Sequence, residues 1–139
     1  MTPSRLGRIL FLWGPPAAYL CLIYDLSAQS AVPWARPYPD WLLHGLEYMA
    51  LALLLARALN GGLGRIPPPR VLLWTWGACV VWAISDELHQ KFVPGRTCDP
   101  RDACADAIGA ALGLVGMRLI LGRWHRPRTA TLRGPRSAA

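Results

Sequence analysis

Four apolar stretches, set apart by short polar connections, dominate the chain: about Ile9 to Tyr24, Trp41 to Leu59, Val71 to Ile84 and Ala103 to Leu121. Crossing a hydrocarbon core of about 30 Å takes roughly 20 helical residues. The second and fourth stretches reach that length. The third reaches it only if its helix continues through Ser85-Asp86-Glu87 toward Phe92, carrying polar residues to the membrane boundary, and this is what we expect. The pattern predicts an all-α integral membrane bundle of four transmembrane helices over residues 1–121. Residues 122–139 form a basic cytoplasmic tail, expected to be disordered and to touch anionic lipid.

Breakers support this division. Asn60-Gly61-Gly62 and Pro67-Pro68-Pro69 bracket a connection that cannot be helical throughout, and Pro33, Pro37 and Pro39 interrupt the one before it. Gly14-Pro15-Pro16 falls inside the first span and is expected to kink it. No internal repeat is present.

Composition agrees, with 53% hydrophobic and 17% charged residues, too little charge to cover a soluble domain. Seven Trp against two Phe suit membrane–water interfaces. The net charge of +7 raises nucleic acid as a partner, but no zinc finger, RNP-like motif or basic helix outside the apolar segments accompanies it. Nucleic acid is therefore not expected, and topology explains the charge instead. With both termini inside, the inner segments hold Arg5, Arg8, Arg57, Arg65, Arg70 and the six arginines from Arg118 onward, with no acid. The outer half holds Arg36, Lys91, Arg96, Arg101 and all eight acidic residues. Because Lys and Arg near span ends stay cytoplasmic, both ends are expected inside. A rival reading makes Arg5, Arg8, the first apolar stretch and Ala28-Gln29-Ser30 a cleaved signal peptide, leaving three spans and the same acidic outer face.

The second span opens with Asp40, His44, Glu47 and Tyr48, whose spacing puts Asp40, His44 and either Glu47 or Tyr48 on one helical stripe. Asp86, Glu87, His89, Gln90 and Arg96 follow the third span. The fourth begins with Asp102 and Asp106, continued on the same stripe by Gly109, Gly113 and Gly116. Those glycines allow close approach of another helix and would permit a homo-oligomer. Ionisable groups at a helix centre in the bilayer cost roughly 2.5–3.5 kcal/mol each. Their concentration at the outer ends of three helices points to one inward-facing polar pocket. Two readings compete. In the first, Arg96 pairs with Asp102 or Asp106 and merely ties loop to helix. In the second, His44, Glu47, Tyr48, Asp86, Glu87, His89, Gln90, Arg96, Asp102 and Asp106 form a working site, because so many such groups at one depth exceed what anchoring needs. The second is favoured.

Asp86-Glu87-x-His89-Gln90-x-Phe92-x-Pro94-x-Arg96 followed by Asp102-x-x-x-Asp106-x-x-Gly109 resembles the VanZ-like family. The acidic residue, His44 and Tyr48 opening the second span agree, as does Asp25-Leu26-Ser27-Ala28-Gln29-Ser30, and the likeness extends over roughly residues 6–121. It implies a multi-pass protein of the bacterial plasma membrane. The family's namesake is associated with resistance to teicoplanin, a glycopeptide that acts outside the membrane on peptidoglycan precursors. The chain departs from the pattern in having Trp41 where a Lys is common after the acidic residue, and Cys98 and Cys104 in the outer loop.

Three chemistries fit the constellation. A metal could draw on His44, Glu47, Glu87, His89, Asp102 and Asp106, but no H-E-x-x-H motif is present, and no metal site is assigned. A hydrolase or transferase would pair carboxylates as acid and base or use His89 as base. Its nearest nucleophiles, Ser27, Ser85 and Thr97, sit in no recognised motif, so catalytic residues and cofactor stay unassigned. Binding of a lipid or lipid-linked envelope precursor would use Lys91, Arg96 and Arg101 on a phosphate and the apolar helices on a tail. Cys21 and Cys79 read as packing residues, while Cys98 and Cys104 are candidates for a disulfide on the oxidising side. The expectation is an outer-leaflet protein linked to teicoplanin-type resistance by binding or altering an envelope lipid, with a membrane-embedded enzyme as the alternative.

Overall fold

The computed structural model describes residues 4–30 and 37–125. These form four helices: α1 (Arg5–Ser27), α2 (Asp40–Leu59), α3 (Pro69–Gln90) and α4 (Pro100–Trp124). All four are long and apolar enough to cross a membrane, and the described residues contain no strand. The third helix does continue through Ser85-Asp86-Glu87, as its length requires. The first stays helical through Pro15 and Pro16. Residues 122–124, read from sequence as the start of the tail, extend α4, whereas the rest of the tail from 126 lies outside the described residues, as do Pro33 and Arg36.

Local chemistry sets the helix starts. Ser4 caps α1 by accepting from the Gly7 N–H at 3.1 Å, and Asp99 caps α4 by accepting from Arg101 at 2.9 Å. Pro69 and Pro100 open α3 and α4, where a missing N–H leaves nothing unsatisfied. Between α2 and α3 the chain turns at Gly61 and Gly62, whose φ angles of 73° and 121° exclude most side chains. The Asn60 amide ties that turn by donating to the carbonyls of Gly62 and Arg65 at 3.0 and 2.8 Å.

The helices α2 and α4 form the central pair, and two glycines explain why. A Cβ on Gly109 would collide with the backbone of Gly45, and one on Gly113 would come within 2.8 Å of the Met49 side chain. Gly116 meets nothing within 4 Å. The close approach that the glycine stripe offers is thus taken up by α2 of the same chain, leaving Gly109 and Gly113 no free face for a second copy. Ile23, Tyr48, Leu51, Ala52, Ala56, Cys79, Ala83, Ala110 and Leu114 fill the core around this pair. Leu73, Val81, Ile108 and Leu112 point outward, which suits helices whose outer surface meets lipid rather than water.

Candidate functional site

The C-termini of α1 and α3 and the N-termini of α2 and α4 meet at one end of the bundle. Every acidic residue of the chain belongs to this polar end. The glycine contact between α2 and α4 lies one turn below it, so it draws the first turns of these helices together. His44 on α2 then meets Asp106 on α4, with Nδ1 3.2 Å from Oδ1 and both side chains buried. When Asp106 is ionised it can only accept, so Nδ1 carries the proton, and in the neutral form of the imidazole the lone pair is then at Nε2.

Around this pair the sequence candidates separate. Of the two residues that could share the His44 stripe, Tyr48 is the one fully buried; its hydroxyl has no hydrogen-bond partner. Glu47 is half-buried, within electrostatic reach of His44, Asp86 and Asp106. Asp86 accepts from the Gln90 amide at 3.2 Å. Glu87 accepts from the Asp99 N–H at 2.8 Å, which pins the connection ahead of α4, while its other oxygen has no partner. His89 turns toward α1 instead, where its ring stacks on Tyr24 with centroids 4.8 Å apart.

Arg96 pairs with neither Asp102 nor Asp106. Its Nη1 lies 3.8 Å from Asp40 Oδ2, because the turn at Gly95, with φ of 81°, sends the following residue across to the start of α2. This corrects the structural-network reading: the contact joins the α3–α4 connection to α2, and it is loose, with a largely buried Arg96 side chain facing a solvent-exposed Asp40. Cys98 and Cys104 are both free thiols. Position 104 lies about 200° around α4 from the buried Asp102, so its thiol faces away from the connection that carries Cys98.

Two concavities adjoin the site. A polar pocket of about 350 Å³ is lined by Asp40, Gln90, Arg96, Thr97, Arg101 and Asp102, among others. An almost wholly apolar groove of about 560 Å³ runs along α2 and α4 past Leu42, Leu46, Met49, Ile108 and Leu112. Trp41 and Arg101 line both. Sequence reasoning placed Arg101 only as a phosphate candidate and Trp41 only as a departure from a pattern. It passed over Tyr24, beside the Asp25–Ser30 segment that signalled the resemblance, and considered Ser27 only as a nucleophile. Ser27 is buried, with a hydroxyl that has no partner.

Of the residues considered for a metal, Glu47, Glu87 and His89 do not join His44 in a group of ligand atoms close enough to share one ion. Among the described residues, the group whose ligand atoms all lie within 4.8 Å of one another is Asp40, His44 and Asp102. Asp40 is the member that sequence reasoning left out of the metal set.

Four spanning helices with a carboxylate- and histidine-rich cluster at one end define a multi-pass membrane protein with a polar site in its bundle. The VanZ/LLP1 family matches residues 19–121, from within α1 to the last turn of α4. The chain belongs to that family. No curated protein and no solved structure matches the chain.

Proposed function

We propose that this VanZ/LLP1-family protein lies in the bacterial plasma membrane with both termini cytoplasmic and binds an anionic envelope lipid or lipid-linked precursor at the outer leaflet. On this reading it lowers sensitivity to teicoplanin-type glycopeptides. The orientation rests on charge: Arg57, Arg65, Arg70, Arg118 and Arg123 gather at the end opposite the acids, and arginines beside short loops favour the cytoplasmic side. The ligand class rests on one observation, the shared wall of Trp41 and Arg101 between polar pocket and apolar groove. A head group in the first and a tail in the second suit a molecule polar at one end and apolar at the other. Arg96 and Arg101 supply charge-assisted donors for a phosphate.

Native mass spectrometry of the full chain in detergent with a polyprenyl phosphate tests this. Wild type should retain the lipid. Arg96→Gln/Arg101→Gln and the groove-filling Leu46→Trp should each weaken it about 10-fold or more, on the order of 1.4 kcal/mol. Equal binding by all three proteins would overturn the ligand assignment. The cellular arm is teicoplanin susceptibility in a sensitive Gram-positive host with membrane levels matched. Protection by wild type and not by His44→Ala/Asp86→Asn ties the polar end to resistance, and protection by neither removes that role.

The His44–Asp106 pair favours a second reading, a membrane-embedded hydrolase or transferase, since a carboxylate-oriented imidazole is suited to move a proton. Undiminished cellular protection by Asp86→Asn and Asp102→Asn would count against it and leave binding intact.

A further inference from the structure

Negative charge at the polar end exceeds what the surrounding cations balance. Asp40, Glu47, Glu87, Asp102 and Asp106 gather within electrostatic reach of His44, with Asp86 within reach of Glu47 and Asp106, and Asp86, Glu87, Asp102 and Asp106 are buried. Against them the described residues provide one ion pair from a Lys or Arg, the loose Arg96–Asp40, while His44 meets Asp106 by a hydrogen bond. Removing carboxylates from water without a partner costs several kcal/mol each. Such a concentration calls for a cation.

We propose that Asp40, His44 and Asp102 bind a divalent transition metal of the zinc or manganese class. Asp40 and His44 lie one turn apart on the same face of α2, and Asp102 enters from the first turn of α4. Their ligand atoms all fall within 4.8 Å of one another. Around an ion with bonds of about 2.0–2.2 Å such atoms stand about 3–4 Å apart. Asp40, mostly solvent-exposed and held only at 3.8 Å by Arg96, is free to make the remaining adjustment.

A separate observation supports the site. Asp106 is fully buried, one of its oxygens is directed at His44 Nδ1 at 3.2 Å, and the other has no partner. A carboxylate on the far nitrogen of a histidine fixes the tautomer and aims the opposite lone pair, which is the usual environment of a metal-bound imidazole. A metal on Nε2 also gives this carboxylate the positive charge that no Lys or Arg supplies. One imidazole and two carboxylates suit zinc or manganese better than calcium, which prefers six or more oxygens, or copper(I), which prefers sulfur. Three protein ligands leave coordination positions open. Asp40 and Asp102 also line the polar pocket, so those positions face it. If the amphiphile reading holds, a phosphate there would meet the metal and Arg96 together.

The test uses the full chain in detergent, stripped with a chelator, re-equilibrated with zinc alone or manganese alone, and dialysed. Metal per chain is counted by inductively coupled plasma mass spectrometry, and cobalt(II) absorption reports the ligand geometry. Wild type should hold one ion per chain. His44→Gln should lose it, and Asp40→Asn, on an exposed side chain that the fold does not need, should weaken it at least about 10-fold. Asp106→Asn, acting through His44, should weaken it about 10- to 100-fold while the cobalt spectrum keeps its ligand set. Arg123→Gln, at the other end, should bind as wild type does. Substoichiometric metal in the wild type, or equal occupancy in wild type, Asp40→Asn and His44→Gln, overturns the proposal. Repeating the polyprenyl phosphate measurement on the chelator-stripped protein separates a failure here from a failure of the lipid reading.

Discussion

The two ends of the bundle handle charge in opposite ways. At the arginine end three arginines and His125 find backbone carbonyls. Arg57 donates to Phe11 at 3.1 Å and lies over its ring, Arg65 donates to Asn60 at 3.1 Å, and Arg118 donates to Pro67. The His125 ring nitrogens lie 2.8 and 3.1 Å from the carbonyls of Leu121 and Gly64. At the polar end the groups are buried and under-partnered. Among the described residues seven buried side-chain atoms have no hydrogen-bond partner, and all but Asn60 Oδ1 belong to this end. Native interiors leave few such atoms. A purely structural network would resemble the arginine end; polar groups held in reserve are what a binding site needs.

Substitutions can break or sharpen this contrast. The largest effect is expected from Gly109→Leu, whose side chain would collide with the α2 backbone directly beneath the His44–Asp106 pair. Overpacking against backbone should destabilise by at least about 3 kcal/mol and disrupt both ends, visible as a large fall in melting temperature in detergent. Gly116→Ala on the same helix should be silent within about 0.5 kcal/mol. If both behave alike, the close α2–α4 contact is not what organises the site.

Glu87→Ala should come next, because it frees the Asp99 N–H and with it the entry to α4. A charged hydrogen bond lost in this way costs about 1.5–3 kcal/mol. Hydrogen exchange should rise across residues 96–102 and stay unchanged at the arginine end; uniform exchange would show that Glu87 does not pin the connection.

A smaller effect is expected for Arg118→Ala, about 1 kcal/mol of thermal stability from the contact to Pro67, with lipid retention and metal content unaltered. Loss of either ligand in this variant would erase the division between a structural and a working end. Smallest in stability is Tyr48→Phe, which removes a hydroxyl that has no partner. It should be neutral or stabilising by up to about 1 kcal/mol, yet reduce teicoplanin protection if the hydroxyl serves a ligand. A clear loss of stability would mean that the hydroxyl is structurally engaged and the reserve reading is wrong there.

Much of the architecture was legible because hydrophobic length is a one-dimensional property. Four apolar runs demand four spans, and the shortness of the third required a helix through Ser85-Asp86-Glu87, which α3 makes. The family was legible too, since the polar residues after the third span and at the start of the fourth carry its pattern. Helical spacing also put His44 and Asp106 each on an inward stripe. Pairing was not legible. Spacing alone left Glu47 and Tyr48 equivalent, and the rotation of α2 set by Gly45 against Gly109 buries Tyr48. Proximity in the chain suggested Asp102 or Asp106 for Arg96, whereas the left-handed turn at Gly95 delivers it to Asp40. The glycine stripe announced a close neighbour without saying whether it came from the same chain. Span number, the segregation of acids from arginines and the family follow from the order of residues. Which carboxylate meets which base, and which three side chains converge on one point, depend on helix rotation and loop path, and only the packed bundle sets those.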